Sequence, residues 1–260
     1  MHGHVFAGSV QRLEDGRSVL VGLMPALCRA LDRRIRQAAG GTGVMEVRCP
    51  DLIERAVLER AGYFEAFPDA ATMLADTRYA LQPAACYHCY ALLTGQSMDR
   101  LAMTLAGRCY RRHDASPEHV GRYWDFTMRE VVLVGRPEWV AGERLAWIQR
   151  ATALAASLDL EVSVEVAADP FFGPAARGMR VLQQLKELKH EIRARIGEEC
   201  VAIASVNLHE SFFASRFALR CHDGSPAHSA CAAFGLERWA AALLAQRGEA
   251  HVRHIAASEL

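Results

Sequence analysis

The sequence carries no net charge, since 30 Lys and Arg are balanced by 30 Asp and Glu. That balance argues against a chain dedicated to nucleic acid or to an anionic membrane surface, both of which call for an excess of cations. No apolar run approaches the roughly 20 residues of a membrane span. The start, MHGHVFAGSVQRLEDG, lacks the basic-then-apolar layout of a signal peptide. There is no internal repeat and no low-complexity tract, which sets aside repeat arrays and long disordered segments. These absences predict a cytoplasmic protein with no membrane partner. Its eight cysteines (28, 49, 86, 89, 109, 200, 221 and 231) are then expected as buried thiols or metal ligands rather than disulfides.

What is there is an ordinary globular composition, 51% hydrophobic and 23% charged over 260 residues, ample for a buried core. Apolar spacing on Leu20, Leu23, Leu27, Leu31 and Ile35 predicts a helix over residues 18–39, closed by Gly40-Gly41. VMEVRCP reads as a short strand ending at Pro50. DLIERAVLERAGYF reads as a helix capped by Asp51 and stopped at Gly62. Residues 77–93 fit helix or strand, and MDRLAMTLAGRCYRR runs as helix or turn into a strand. A polar loop, HDASPEHVG, separates it from a strand over 121–135. A helix begins near Pro137, LEVSVEVA alternates as a strand, and 179–196 mixes both signals. Residues 201–220 read as strand, turn and second strand. GLERWAAALLAQRG is a helix ending at Gly248. The pattern predicts an α+β fold with a largely antiparallel sheet flanked by helices, in one domain over 1–260. Within it, residues 1–45 form an N-terminal helical region and 46–250 the core.

The strand GRYWDFTMREVVLVG places Phe126, Met128, Glu130, Val132 and Val134 on one face, and the other face is also mostly apolar. A strand apolar on both faces is buried, so Glu130 requires a cation, a metal or strong donors. Cys86, in PAACYHCY, and Cys231, in HSACAAFGLERW, are candidate partners. A Cys–Glu–Cys set would leave a zinc ion one open position. The alternatives are plain buried thiols, a buried salt bridge for Glu130, and a competing Cys86-x-x-Cys89 motif. RRHD at 111–114 and GRYWDF, joined by a polar loop, present arginines suited to polyphosphate. Gly235 and Arg238 in GLERW set a guanidinium in the first turn of a helix, where a phosphate is also favoured. A solvated turn and a surface arginine are the plain alternatives.

Taken together and in order, these pieces resemble class II aminoacyl-tRNA synthetases. RRHD, the loop and DFTMRE resemble motif 2, FGLERW resembles motif 3, and VRCPDLIERAVLERAGYFEAFPD resembles the motif 1 region with Pro50 as its proline. The narrower resemblance, over about residues 40–248, is to the amino acid:[carrier protein] ligases, truncated relatives of atypical zinc-dependent seryl-tRNA synthetases. PAACYHCY, GRCYRRHD, ADPFF, LKHEIRARI, SVNLHESFF and CAAFGLERW carry it.

The resemblance implies a zinc ion held by Cys86, Glu130 and Cys231, with Cys89 a structural thiol. It implies ATP, with Mg²⁺, on Arg112, Asp114, Arg122, Tyr123, Lys189 and Arg238, with Arg112, Asp114 and Arg238 catalytic. Arg111 takes the place of Arg112 under a one-residue shift, and Asp114 replaces a longer glutamate. Ser205 and Asn207, with Glu130, are implied at the amino acid. The implied reaction makes an aminoacyl-adenylate of glycine or alanine and passes the aminoacyl group to the phosphopantetheine thiol of a carrier protein. Trp124 or Phe213 would restrict substrate size. A homodimer through motif 1 is implied, and no tRNA is expected, since no basic arm is present. The alternatives are a seryl-type enzyme acting on tRNA and a non-catalytic paralogue that binds or regulates.

Overall fold

The computed structural model describes residues 9–15, 17–40, 43–68, 70–112, 121–168 and 184–259. The chain opens with a hairpin, β1 (Ser9–Arg12) and β2 (Ser18–Val21), paired antiparallel. The helix expected from residue 18 begins only at Met24, as α1 (Met24–Gly40). Ser-Val-Leu-Val suits a pleated strand, and Gly22 at φ 62° turns the chain before the helix. Then come β3 (Met45–Glu46), β4 (Leu52–Glu54), α2 (Arg55–Arg60), α3 (Tyr63–Ala66), β5 (Tyr79–Leu81) and α4 (Cys86–Leu92). Asp51 does not cap a helix. Its carbonyl accepts the Gln82 N–H, and β4 pairs with β5. Gly62 does interrupt the helix, at φ 74°, a left-handed conformation that glycine adopts at no steric cost.

β6 (Arg100–Tyr110), β7 (Asp125–Gly135), α5 (Pro137–Ser157), β8 (Val162–Ala167), β9 (Lys189–Ile196) and β10 (Glu199–Glu210) follow. After β10 comes a helix, α6 (Phe212–Phe217), where a second strand was expected. Phe213, Ala214 and Phe217 fall on one helical face and are buried, which a strand could not achieve. β11 (His228–Gly235), a run of small residues with weak strand propensity, leads into α7 (Leu236–Ala256). Gly248 breaks the regularity of α7 (φ 77°, ψ 174°) without ending it.

Seven strands form the main sheet in the order β3-β6-β7-β11-β10-β9-β8, antiparallel throughout except for β3 against β6. One face packs on α1, α5 and α7 through Val131, Leu133, Ala232, Phe234, Trp147 and Trp239. The opposite face is covered in part by α4 and α6, against Met103, Leu105, Val132 and Val134. This two-sided cover makes β7 apolar on both faces. The rest of the second face forms the floor of a cleft. No helix among the described residues is long and apolar enough to cross a membrane.

Candidate active site

The sheet register sets out two rows of side chains, of which Lys189, Glu191, Ser205 and Ala233 line the cleft and Asn207, Cys231 and Glu130 do not. Lys189, Asn207 and Cys231 lie side by side on β9, β10 and β11. Two residues along, Glu191, Ser205, Ala233 and Glu130 form the next row, which reaches β7. Side chains two apart on a strand share a face, so both rows point the same way as Phe126 and Met128. The cleft is about 500 Å³ and is lined by Arg111, Arg122, Phe126, Met128, Lys189, Glu191, Arg193, Ser205 and Arg238, among others.

At its polar end, Lys189 Nζ is 3.3 Å from Glu191, and Arg193 reaches the same carboxylate at 2.7 Å. Arg238 donates Nε–H to the Gly121 carbonyl at 2.6 Å and NH1 to the Ala202 carbonyl at 2.9 Å. Gly121 sits at φ 73°, and a Cβ there would press on the Arg238 side chain at 3.1 Å. Beside it, Glu237 accepts the Thr127 N–H at 2.8–2.9 Å and ties the start of α7 to β7.

Of the paired arginines, the structure brings Arg111 to the cleft and leaves Arg112 outside its lining. Arg111 donates to the Pro83 carbonyl at 2.7 Å and lies over Phe126, 5.5 Å from the ring centroid. Arg112 is exposed and lies over Trp124. The sequence favoured Arg112 and kept Arg111 as the one-residue alternative; of the two, Arg111 lines the cleft. Asp114 lies outside the described residues. Tyr123 is buried and does not line the cleft. Trp124 and Phe213 do not line it either, whereas Tyr63, Phe67 and Tyr87 do.

Glu130 is 1% exposed. Its Oε1 accepts the N–H of Ala85 at 2.7 Å and that of Cys86 at 3.3 Å, so the start of α4 is fastened to β7. The Cys86 thiol is within hydrogen-bonding reach of both the Cys231 sulfur and the Glu130 carboxylate. Burial, reinforced by Cys231, pushes Glu130 up to about 7. The hydrogen bond between the thiols lowers Cys231 well below the ordinary thiol value and raises Cys86, which burial raises further. Asn207 Nδ2 stands 3.4 Å from Cys231 Sγ and 3.3 Å from Ser205 Oγ. Among the described residues, no three His, Cys, Asp or Glu side chains are grouped as a bound metal ion would require.

One neighbour was missed in the sequence. His209 Nε2 lies 3.6 Å from Cys231 Sγ. Its signal was the alternation Ser205, Asn207, His209, three polar residues at every second position of a strand.

Comparison with known proteins completes the picture. Amino acid–[acyl-carrier-protein] ligase 1 of Bradyrhizobium diazoefficiens is 32% identical over 238 residues, covering 79% of this chain and 72% of that protein. Ligase 2 of the same organism is 32% identical over 235 residues, covering 78% and 70%. The chain belongs to the amino acid–[acyl-carrier-protein] ligase family. Type-2 serine–tRNA ligase of Methanocaldococcus jannaschii is 31% identical over 186 residues, covering 68% of this chain and 36% of that protein. No family model matches the chain. Among solved structures, the M. kandleri seryl-tRNA synthetase bound to A. aeolicus tRNASec superimposes with a TM-score of 0.80 at 21% identity. The Pyrococcus horikoshii seryl-tRNA synthetase bound to ATP gives 0.75 at 17%. This chain spans 58% and 57% of those two chains. The fold of this ligase-family chain is that of class II aminoacyl-tRNA synthetases, an α+β antiparallel sheet flanked by helices.

Proposed function

We propose that this chain uses ATP to activate a small amino acid, glycine or alanine, and transfers it to the phosphopantetheine thiol of a carrier protein. The observation that carries the reading is the convergence of Arg111, Arg122, Lys189 and Arg238 on one cleft of a class II sheet, in a chain of this ligase family. A carboxylate oxygen of the amino acid attacks the α-phosphorus of ATP, the bond to the β-phosphate oxygen breaks, and pyrophosphate leaves. Arg111, anchored on Pro83 and Phe126, takes the α-phosphate and stabilises the charge that builds there. Arg238 is braced by two carbonyls before substrate arrives, so it grips the β- and γ-phosphates with little reorganisation. Mg²⁺ is expected with the ATP. Ser205 and Asn207 border the amino acid. In the second step the carrier thiolate attacks the adenylate carbonyl, and AMP leaves.

Two buried thiols and a buried carboxylate are, in donor chemistry, a set that suits zinc. Cys86, Glu130 and Cys231 would hold it, and the ion would supply a Lewis-acid position for the substrate's amino group. Tyr63, Phe67 and Tyr87 narrow the cleft, which favours a small side chain. We place the enzyme in the cytoplasm as a homodimer, a mass that light scattering reads directly.

The test is amino-acid-dependent ATP–pyrophosphate exchange with glycine, alanine and serine, before and after chelation. Exchange that is lost on chelation and restored by zinc is the expected result. No exchange by folded, zinc-loaded protein would overturn the activation chemistry. The similarity to serine–tRNA ligases favours a second reading in which tRNA is the acceptor. Labelled amino acid appearing on tRNA rather than on a phosphopantetheinylated carrier would establish that one.

A further inference from the structure

We propose that Arg144 is a positioning residue for Lys189: from the helix-covered face of the sheet it holds the turn before Lys189 and so aims that side chain into the cleft on the other face. The inference rests on reading the cleft as a nucleotide site, and it names a residue outside the cleft on which that site depends.

Arg144 lies on α5 and is 8% exposed. Its Nη2 donates to the Glu187 carbonyl and stands 2.6 Å from His190 Nδ1. These two contacts bracket Lys189 in the chain. Side chains alternate across a strand, so His190 faces α5 while Lys189 and Glu191 face the cleft, where Lys189 Nζ is 3.3 Å from Glu191. Glu187 is a non-glycine residue at φ 49°. An L-residue keeps that left-handed conformation only where its surroundings enforce it. The Glu187 N–H reaches the Gln184 carbonyl at 3.1 Å, and the Leu188 carbonyl accepts the Leu208 N–H at 2.7 Å. Arg144 supplies a third hold, on the Glu187 carbonyl, from the opposite side of the sheet.

The cost of this arrangement argues for a role. A guanidinium stays charged in a protein, and burying it calls for a carboxylate partner. Among the described residues no carboxylate stands within ion-pair distance of Arg144, and its buried Nε has no acceptor. For stability alone an apolar side chain would serve as well at such a place. What Arg144 does hold is backbone, the turn at Glu187 that delivers Lys189.

The experiment compares the full-length protein with Arg144→Met, Lys189→Met and the double variant, after a thermal melt has shown each to be folded. ATP affinity is read by calorimetry without amino acid. Lys189→Met should weaken it about 10- to 100-fold, the loss of one charge-assisted contact to phosphate. Arg144→Met should give part of that loss. The double variant should be no weaker than Lys189→Met, because Arg144 acts through Lys189. Acetylation of Lys189 by an N-hydroxysuccinimide ester, read by peptide mass spectrometry without nucleotide, should speed up several-fold in Arg144→Met. That of the exposed Lys186 should hold. Unchanged ATP affinity in Arg144→Met, or losses that multiply in the double variant, would overturn the inference. So would Lys189 acetylation unaltered by Arg144→Met. Where methionine unfolds the chain, Arg144→Gln keeps a polar amide but falls short of the Glu187 carbonyl and gives the same comparison. A folded, unsubstituted protein that binds no ATP would remove the nucleotide reading. The acetylation rates need no ATP and would still decide whether Arg144 sets Lys189.

Discussion

Arg111 and Arg112 are chemically identical neighbours with opposite placements, so substituting each in turn separates geometry from charge. Arg111→Ala should lower pyrophosphate exchange by about 100- to 1,000-fold, the cost of removing one charge-stabilising donor, and Arg112→Ala should leave it near the starting rate. Equal losses would show that the cleft admits both. Glu130 offers a second test. Glu130→Gln retains a carbonyl to accept from Ala85 and Cys86, so the fold should survive, but a neutral amide is a poor zinc ligand. Zinc content by elemental analysis should fall well below one per chain, and full occupancy would exclude Glu130 as a ligand. The burial of Glu130 was legible in the sequence because the strand around it is apolar on both faces. Which of Arg111 and Arg112 reaches the cleft was not, since one residue of register decides it and the Pro83 carbonyl and Phe126 ring hold Arg111 in place.

At the scale of elements, one corner joins the start of β6, the end of β7 and the turn before β11. A Cβ at Gly135 would collide with the Asp99 backbone carbonyl. Gly135→Ala should therefore cost about 1–3 kcal/mol, read as a lower urea midpoint with unchanged slope. Arg136 bridges the same corner, 3.2 Å from Asp99 and 2.8 Å from Asp223. The Ser225 hydroxyl and N–H, helped by Arg136, hold Asp223 down at about 2, and the His222 N–H lowers Asp99. A carboxyl held below its ordinary value stabilises the fold above that value, and the contribution fades as pH falls toward the folded value. Asp223→Asn should lower the melting temperature at pH 7, and the difference should close as pH drops from 3.8 toward about 2. A pH-independent difference would mean that the charge is irrelevant. Elements with a distinct local signal, such as α5 opened by Pro137 and the long apolar run of β7, could be read in advance. Others could not, three of them being β2, whose Val-Leu-Val extends the apolar spacing of α1; α6, whose phenylalanines suit either state; and β11, whose Ala, Ser and Cys favour neither. Tertiary packing decided all three.

For the whole molecule, the sheet order explains why residues far apart in sequence converge. Lys189, Asn207 and Cys231 lie on three neighbouring strands, and Cys86 arrives from α4, which packs on β7. The antiparallel architecture followed from the alternation of segments, but its order did not, because that requires knowing that β11 inserts between β7 and β10. The placement of Lys189 in the cleft has a practical consequence. The sequence contains two lysines, Lys186 and Lys189. Lys186 is exposed and paired with Glu210, whereas Lys189 is 9% exposed and lines the cleft. An amine-directed acyl phosphate of ATP should therefore acylate Lys189 in preference to Lys186, and free ATP should protect it, as peptide mass spectrometry would read. Equal labelling of both would place the nucleotide elsewhere. A chain that builds its surface from arginine leaves its cleft with a built-in reporter group, so the proposed nucleotide occupancy could be followed in a crude mixture without engineering the protein.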